Sequence, residues 1–168
     1  MIRMRILGID PGLARMGWGA IEVDGARLCH IAHGTLTSNA KLELGERLLL
    51  LHDGLCSIIA ELAPSAIAIE QTFVHRDPQA ALKLGQARAI ALLAAARAGV
   101  SVAEYAPNHV KKSVVGVGHA GKEQVQAMVR RLLPLARLDS FDASDALALA
   151  ISHAHLSGTR SRLAAQLA

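Results

Sequence analysis

Four carboxylates in this sequence stand at the ends of widely separated elements. Asp10 and Glu70 each close a short apolar run, and Asp142 and Asp145 open a predicted helix. Acids placed where apolar strands stop can converge on one cleft, and Mg²⁺ or Mn²⁺ prefers oxygen ligands. Two such ions a few ångströms apart can hold a phosphodiester between the attacking and leaving oxygens during in-line displacement. The pattern therefore indicates the chemistry that a nuclease requires.

Each of these acids also has a purely structural interpretation. Asp10 precedes Pro11-Gly12 and could initiate a turn, whereas Asp142 and Asp145 could cap a helix and favour its positive end. Glu70 fits this interpretation less well, because it continues an apolar strand where an unpaired acid is costly unless it coordinates something. Asp142 and Asp145 lie three positions apart and so share one helical face. The four acids together favour a metal site more strongly than any one of them does.

Composition indicates a single folded domain that meets a polyanion. The chain has 168 residues, 52% of them apolar, which is enough for a real core. Its formal charge is +4 and its pI is near 9.5, with basic residues spread along the chain rather than gathered in a tail. Nucleic acid is the natural partner of such a surface.

Two features bear on the compartment. Cys29 and Cys56 match no metal-ligand spacing and stand in apolar stretches, so buried reduced thiols are favoured over a disulfide. No apolar run reaches the roughly 18 residues of a membrane span, and the N-terminus runs straight into a strand. We therefore expect a cytoplasmic protein with no membrane partner.

Periodicity predicts an α/β fold with a mixed sheet. Three antiparallel strands open the chain, and strands then alternate with helices, which implies parallel strands with helices on the sheet faces. Strands are predicted over 4–10, 17–23, 27–37, 66–70 and 100–105, and helices over 41–62, 77–98, 108–115, 122–133 and 142–156. We expect one domain over 1–157 and a peripheral tail over 158–168. Ligands are expected at the carboxyl ends of the strands.

One predicted helix is apolar nearly all round. The segment from Ala87 to Ala98 carries only Arg88 and Arg97 as charged residues, which is typical of a helix buried on several sides. Gly85 and Ala89 lie four positions apart and would allow close approach of another helix. We therefore place a homodimer contact here, since two-fold symmetry would present two sites to a two-fold symmetric substrate.

The segment from Gly116 to Lys122 satisfies the G-x-x-x-x-G-K part of a P-loop. Glu123 then occupies the Ser/Thr position that should hold magnesium, and no apolar strand directly precedes the loop. The block around Asp10 also resembles the first phosphate loop of actin-like ATPases, which need two lobes where this chain has one. Both ATPase interpretations are therefore disfavoured.

Five blocks, in order along the chain, resemble the RuvC family of Holliday junction resolvases. They are Gly8–Gly12, Ile69–Gln71 followed by Phe73, Ala81–Arg88, Val110–Lys111 with Val114–Gly118, and Asp142–Ala148. The resemblance runs from about residue 5 to about residue 156. It implies an RNase H-like fold with a five-stranded mixed β-sheet flanked by helices. It also implies a homodimer that nicks four-way DNA junctions in pairs with Mg²⁺, two ions per site with Mn²⁺ as substitute, and that works with RuvA and RuvB.

The resemblance also assigns roles to particular residues. Asp10, Glu70, Asp142 and Asp145 match the metal-binding catalytic acids, although the family varies at the position of Asp142. Lys122 is expected to position the attacking water or neutralise the phosphate. The residues expected to contact DNA are Phe73, Arg76, Lys111, Lys112 and Lys122.

Structural alternatives exist for these DNA contacts. Phe73, one of four aromatic residues, could simply pack under its loop, whereas the resemblance suggests that it stacks on an unpaired base near the junction centre. The lysines could be solvated surface charges. Two departures from the family pattern are Ser144, which stands where alanine is common, and the loop segment 75–78, which would alter how that loop meets DNA.

Two further functions remain compatible with the sequence. One is a different RNase H-like nuclease, of the type that processes ribosomal RNA, which would favour RNA over junction DNA. The other is a junction-binding module without catalysis, which would tolerate loss of the carboxylates.

Overall fold

The structure, a computed structural model, describes residues 3–71 and 77–167, with side chains as far as residue 158. Five strands and five helices follow one another in these ranges. They are β1 (Met4–Asp10), β2 (Arg15–Asp24), β3 (Arg27–Thr37), α1 (Leu44–Leu62), β4 (Ala66–Glu70), α2 (Pro78–Arg97), β5 (Ser101–Tyr105), α3 (Pro107–Val115), α4 (Lys122–Leu132) and α5 (Phe141–Leu167).

The five strands form one mixed sheet in the order β3-β2-β1-β4-β5. Strand β2 pairs antiparallel with β1 on one side and with β3 on the other. Gly25 at the β2–β3 turn has a φ of 62°. Strand β4 pairs in parallel with β1, and β5 pairs in parallel with β4, each after a helical crossover. This confirms the five-stranded mixed sheet expected from the alternation of strands and helices.

Helices cover both faces of the sheet, and alternate side chains of each strand enter opposite cores. On β1, Leu7 and Ile9 pack with α1 and α2, whereas Ile6 packs with α3, α4 and α5. The neighbouring strand β4 divides in the same way, with Ile67 and Ile69 on the first side and Ala68 on the second. This period of two is what a strand buried on both faces requires.

Helix α5 lies unusually close to the sheet because glycines face it. A Cβ at Gly8 would collide with the carbonyl oxygen of Ala146, and one at Gly17 would collide with that of Asp142. The absence of side chains at these two positions lets the first turns of α5 approach β1 and β2. The amino end of α5 is thereby brought to the end of β1.

Several boundaries differ from the predictions. Strand β2 begins at Arg15 rather than at residue 17, and α1 begins at Leu44 rather than at residue 41. Helix α5 continues to Leu167, so its predicted end at residue 156 is wrong. Gly158 lies within the helix, because a glycine weakens a helix without stopping it unless it adopts a left-handed cap. The expected division between residues 1–157 and 158–168 falls inside this helix.

Cys29 and Cys56 are free thiols, and both are partly buried rather than fully buried as expected. Within residues 3–71 and 77–167, no helix combines the length and apolarity needed to cross a membrane.

Candidate active site

Three of the four acids meet at the carboxyl edge of the sheet. Asp10 ends β1 and Glu70 ends β4, and these strands are parallel neighbours in which Ile9 pairs with Ile69. Asp145 comes from the first turns of α5, across the edge from both strands. Asp10, Glu70 and Asp145 line one cavity of about 440 Å³, hereafter the acidic cavity.

The surroundings in the acidic cavity raise the pKa values of its three carboxyl groups. Burial raises the pKa of Asp10 well above its ordinary value, and the charges of Glu70, Asp145 and Asp142 raise it further. The pKa of Glu70 is raised by burial and by Asp145, and a hydrogen bond with Asp10 acts in the opposite sense. Burial also raises the pKa of Asp145. These acids are therefore held in surroundings that oppose their negative charge.

Two lysines share the acidic cavity with the acids. Lys111 of α3 and Lys122, the first residue of α4, both line it, and Lys122 Nζ lies 3.9 Å from Asp145 Oδ2. Their positive charges lower the pKa values of Glu70 and Asp145, partly offsetting the effect of burial. Lys112 instead faces away and lines a separate hollow with His109 and Leu156.

Asp142 stands apart from the other three acids. It does not line the acidic cavity, and its Oδ2 accepts a hydrogen bond from Arg15 Nε at 2.6 Å. Arg15 is not among the predicted site residues, because no motif or short spacing links the start of β2 to a helix far along the chain. The structure also assigns the capping of α5 to Ser140, whose Oγ accepts from the N–H of Ala143 at 3.2 Å.

The donor set suits a hard divalent cation. It offers carboxylate oxygens, the ligands that Mg²⁺ and Mn²⁺ prefer. A dication would offset both the cost of burying these negative charges and the repulsion between them, which are the two effects that raise the pKa values of the acids. In the part of the chain that the structure describes, no three acidic, histidine or cysteine side chains are placed closely enough to surround one ion. The acids would therefore have to move closer together to surround an ion. Their mutual repulsion opposes this until a cation is present.

Two predicted site residues, Phe73 and Arg76, lie outside the described residues. The P-loop-like segment is described, and a helix rather than a strand precedes it. Helix α3 ends at Val115 and is capped by Gly116, whose φ is 95°, and Lys122 Nζ lies near Asp145. This topology lacks the strand that a P-loop requires.

Comparison with known proteins identifies the family. A family model described as crossover junction endodeoxyribonuclease RuvC matches residues 6–153. A protein of that name from Parvibaculum lavamentivorans is 61% identical over 166 residues, covering 99% of this chain and 95% of the relative. Another from Methylocella silvestris is 57% identical over 160 residues, covering 95% and 91%.

Solved structures agree with this assignment. The chain superposes on Thermus thermophilus RuvC in complex with a Holliday junction substrate with a TM-score of 0.87 and 34% identity, covering 93% of this chain and 96% of that one. The yeast mitochondrial Holliday junction resolvase matches with a TM-score of 0.64 at 14% identity, over 94% and 84% of the two chains, which shows a shared fold. The expected RNase H-like fold is confirmed, and the chain belongs to the RuvC family of crossover junction endodeoxyribonucleases.

Proposed function

We propose that this chain resolves four-way DNA junctions by paired nicks, using divalent metal ions held at the acidic cavity. The observation that carries the proposal is the meeting of Asp10, Glu70 and Asp145 with Lys111 and Lys122 in one cavity of a RuvC-family chain. The Thermus relative, which shares 34% of its aligned residues with this chain, was solved with a junction substrate.

The chemistry follows from the side chains present. Asp10, Glu70 and Asp145 would hold two Mg²⁺ or Mn²⁺ ions, with Asp142 as a fourth ligand when its carboxylate is released from Arg15. Bound ions supply an activated water and stabilise the departing 3′-oxygen. Lys122 lies where it can neutralise the phosphate or orient that water, because its ammonium group already points at Asp145.

The DNA contacts divide into two groups. Lys111 and Lys122 line the acidic cavity and would meet the scissile phosphate, whereas Lys112 lies on another face of α3 and would meet phosphates away from the nick. Phe73 and Arg76 are proposed from the family resemblance alone, as a stacking residue and a phosphate contact.

A homodimer is supported by an exposed apolar stripe on α2, defined by Leu82, Ala89, Leu93 and Ala96. Leu82 and Leu93 are 68% and 51% exposed, while the opposite side of the helix is buried in the core. Exposed leucines in line along one helix are typical of a partner surface. Gly85 next to this stripe has open space around its Cα, so a second helix could approach closely.

The proposed setting is the bacterial cytoplasm, where chromosomal DNA is found. Its named relatives are bacterial. RuvA and RuvB are proposed partners on the strength of family membership, and co-purification of the three proteins on junction DNA would test this.

The decisive experiment compares junction binding with junction cleavage. Asp10→Asn, Glu70→Gln and Asp145→Asn should each abolish nicking of a synthetic four-way junction with Mg²⁺. Binding measured by gel shift should survive, because affinity comes mainly from lysine and arginine meeting phosphates. Asp53→Asn, which removes an exposed acid on α1, is the matched control and should cut normally.

Each rival function predicts a different outcome. A noncatalytic junction-binding module would bind junctions without Mg²⁺-dependent nicking in the unaltered protein. An RNA-processing nuclease would cut structured RNA faster than junction DNA. Near-normal nicking by any of the three variants would remove that acid from the proposed site.

A further inference from the structure

Arg15 forms an ion pair with the one predicted metal ligand that lies outside the acidic cavity. Its Nε donates to Asp142 Oδ2 at 2.6 Å, and the side chains of Arg15 and Asp142 are 55% and 31% exposed. An anion that reaches the Arg15 guanidinium would compete with the Asp142 carboxylate for it.

The backbone fixes this pairing. Arg15 and Gly17 lie two positions apart on β2 and therefore share one face of the strand. Gly17 lies directly against the backbone of Asp142, where any Cβ would collide with the carbonyl oxygen. The Arg15 side chain is thereby held next to the Asp142 side chain by the same close approach that brings α5 to the sheet.

The charge of Asp142 is still felt inside the acidic cavity. It raises the pKa values of Asp10 and Asp145, although its side chain does not line that cavity. A cation bound by the other acids would therefore attract Asp142, and Arg15 is the group that competes with it. A guanidinium is also well suited to bind a phosphodiester through paired hydrogen bonds, and Arg15 is exposed enough to be reached.

We propose that Arg15 holds Asp142 back from the metal site until a DNA backbone phosphate takes over its guanidinium. Arg15 is thus a positioning residue that delays completion of the metal site until DNA is bound. This inference rests on the proposed function, because it assumes that the neighbouring acids bind divalent ions.

The first test is a Mn²⁺ titration of the full chain without DNA, followed by electron paramagnetic resonance. Arg15→Ala and Arg15→Gln should bind Mn²⁺ about threefold to fivefold more tightly than wild type, which is the effect of removing one partly exposed ion pair. Arg15→Lys, which keeps the charge, should stay close to wild type. Arg3→Ala is the matched control, since Arg3 pairs with Glu22 at the other end of β1 and should leave Mn²⁺ affinity unchanged.

A double-mutant cycle separates this role from a general electrostatic effect. If Arg15 acts through Asp142, Arg15→Ala should have no effect on Mn²⁺ affinity in a chain that already carries Asp142→Asn. An equal gain in both backgrounds would mean that Arg15 only repels cations from the acidic cavity, and would overturn the inference.

The second test addresses the transfer to phosphate. Junction binding measured in EDTA at several salt concentrations should show a slope of log affinity against log salt that is smaller by about 0.9 in Arg15→Ala, the loss of one phosphate contact. An unchanged slope, or unchanged Mn²⁺ affinity in the first test, overturns the inference while leaving the nuclease proposal intact. Absence of Mn²⁺ binding by the unaltered chain, or binding that Asp10→Asn does not weaken, would instead defeat the proposed function itself.

Discussion

At the residue scale, Asp10 is the carboxylate that folding disturbs most clearly. Burial and the surrounding carboxylates raise its pKa well above the ordinary value of 3.8. The folded state then binds its proton more tightly than the unfolded chain does, so this contribution to stability is present at low pH and is lost as pH rises through the raised pKa. Without metal, the site is therefore less stable at neutral pH than in weak acid.

Asp10→Asn should remove this penalty. In EDTA the variant is expected to melt above wild type at about pH 8, and the difference should shrink as pH falls through the raised pKa toward 3.8. Thermal scans at a series of pH values measure this directly. A constant difference at every pH would show that Asp10 titrates normally in the folded protein.

Ser144 is a second residue whose burial destabilises the folded chain. Its side chain is 1% exposed, and its Oγ has no hydrogen-bond partner among the described residues. A buried unpaired hydroxyl destabilises a fold by about 1–3 kcal/mol. The sequence marks Ser144 only as a departure from the alanine that is common at this position, whereas the structure shows that the serine is buried.

Ser144→Ala should therefore stabilise the protein. We expect a gain of about 1 kcal/mol in the free energy of unfolding, or about 2–4 °C in melting temperature for a chain of this size. Ser57→Ala on α1, where the Oγ is exposed and bonded to the Asp53 carbonyl oxygen, is the control and should change little. A loss of stability in Ser144→Ala would mean that this hydroxyl is satisfied after all.

At the element scale, the site depends on how closely α5 approaches the sheet. Asp10 and Glu70 come from neighbouring parallel strands, so their separation follows from the sheet alone. Asp145 depends on α5, whose first turns rest against Gly8 and Gly17. A side chain at either glycine would move the helix away from the strands.

Gly17→Ala should thus damage stability and activity together. We expect a loss of about 1–3 kcal/mol in the free energy of unfolding from overpacking, and slower nicking because Asp142 and Asp145 move away from Asp10. Gly45→Ala in α1 is the control, because a Cβ there meets nothing within 4 Å and alanine favours a helix. Chemical denaturation and junction nicking are the measurements. Normal nicking by a destabilised Gly17→Ala would show that the position of α5 tolerates this shift.

At the scale of the whole molecule, the exposed stripe on α2 is the surface proposed for a dimer contact. The buried residues Ala87, Ala91, Ala94 and Ala95 occupy one side of the helix, and the stripe leucines occupy the other. The nearly all-round apolarity of Ala87–Ala98 fits two contacts, one with the core of the chain and one with a proposed second copy.

Leu93→Glu should convert the proposed dimer to a monomer, because the change would bury a carboxylate without a partner in the interface. Sedimentation at several protein concentrations would reveal the change. Leu135→Glu is the control, since Leu135 is 83% exposed in the α4–α5 connection, and it should sediment as wild type does. If the unaltered chain sediments as a monomer, or Leu93→Glu leaves its mass unchanged, the stripe is not a dimer contact.

The order of strands and helices and the three acids that line the acidic cavity were predictable from the sequence. Strand and helix periods are local, and each acid stands at the end of an element, so residues such as Asp10 and Glu70 could be placed at the carboxyl edge from the pattern alone. The five blocks that resemble the RuvC family predict the same three acids as site residues. Helix ends were less well predicted, as the extension of α5 through Gly158 shows.

The separation of Asp142 from the other three acids follows from the packing of β2 against α5. The spacing of Asp142 and Asp145 put both on one helical face and predicted that they act together. In the folded chain Asp145 lines the acidic cavity, while Asp142 pairs with Arg15 from the start of β2. No local pattern encodes that ion pair, because its two residues meet only when β2 and α5 pack through Gly17.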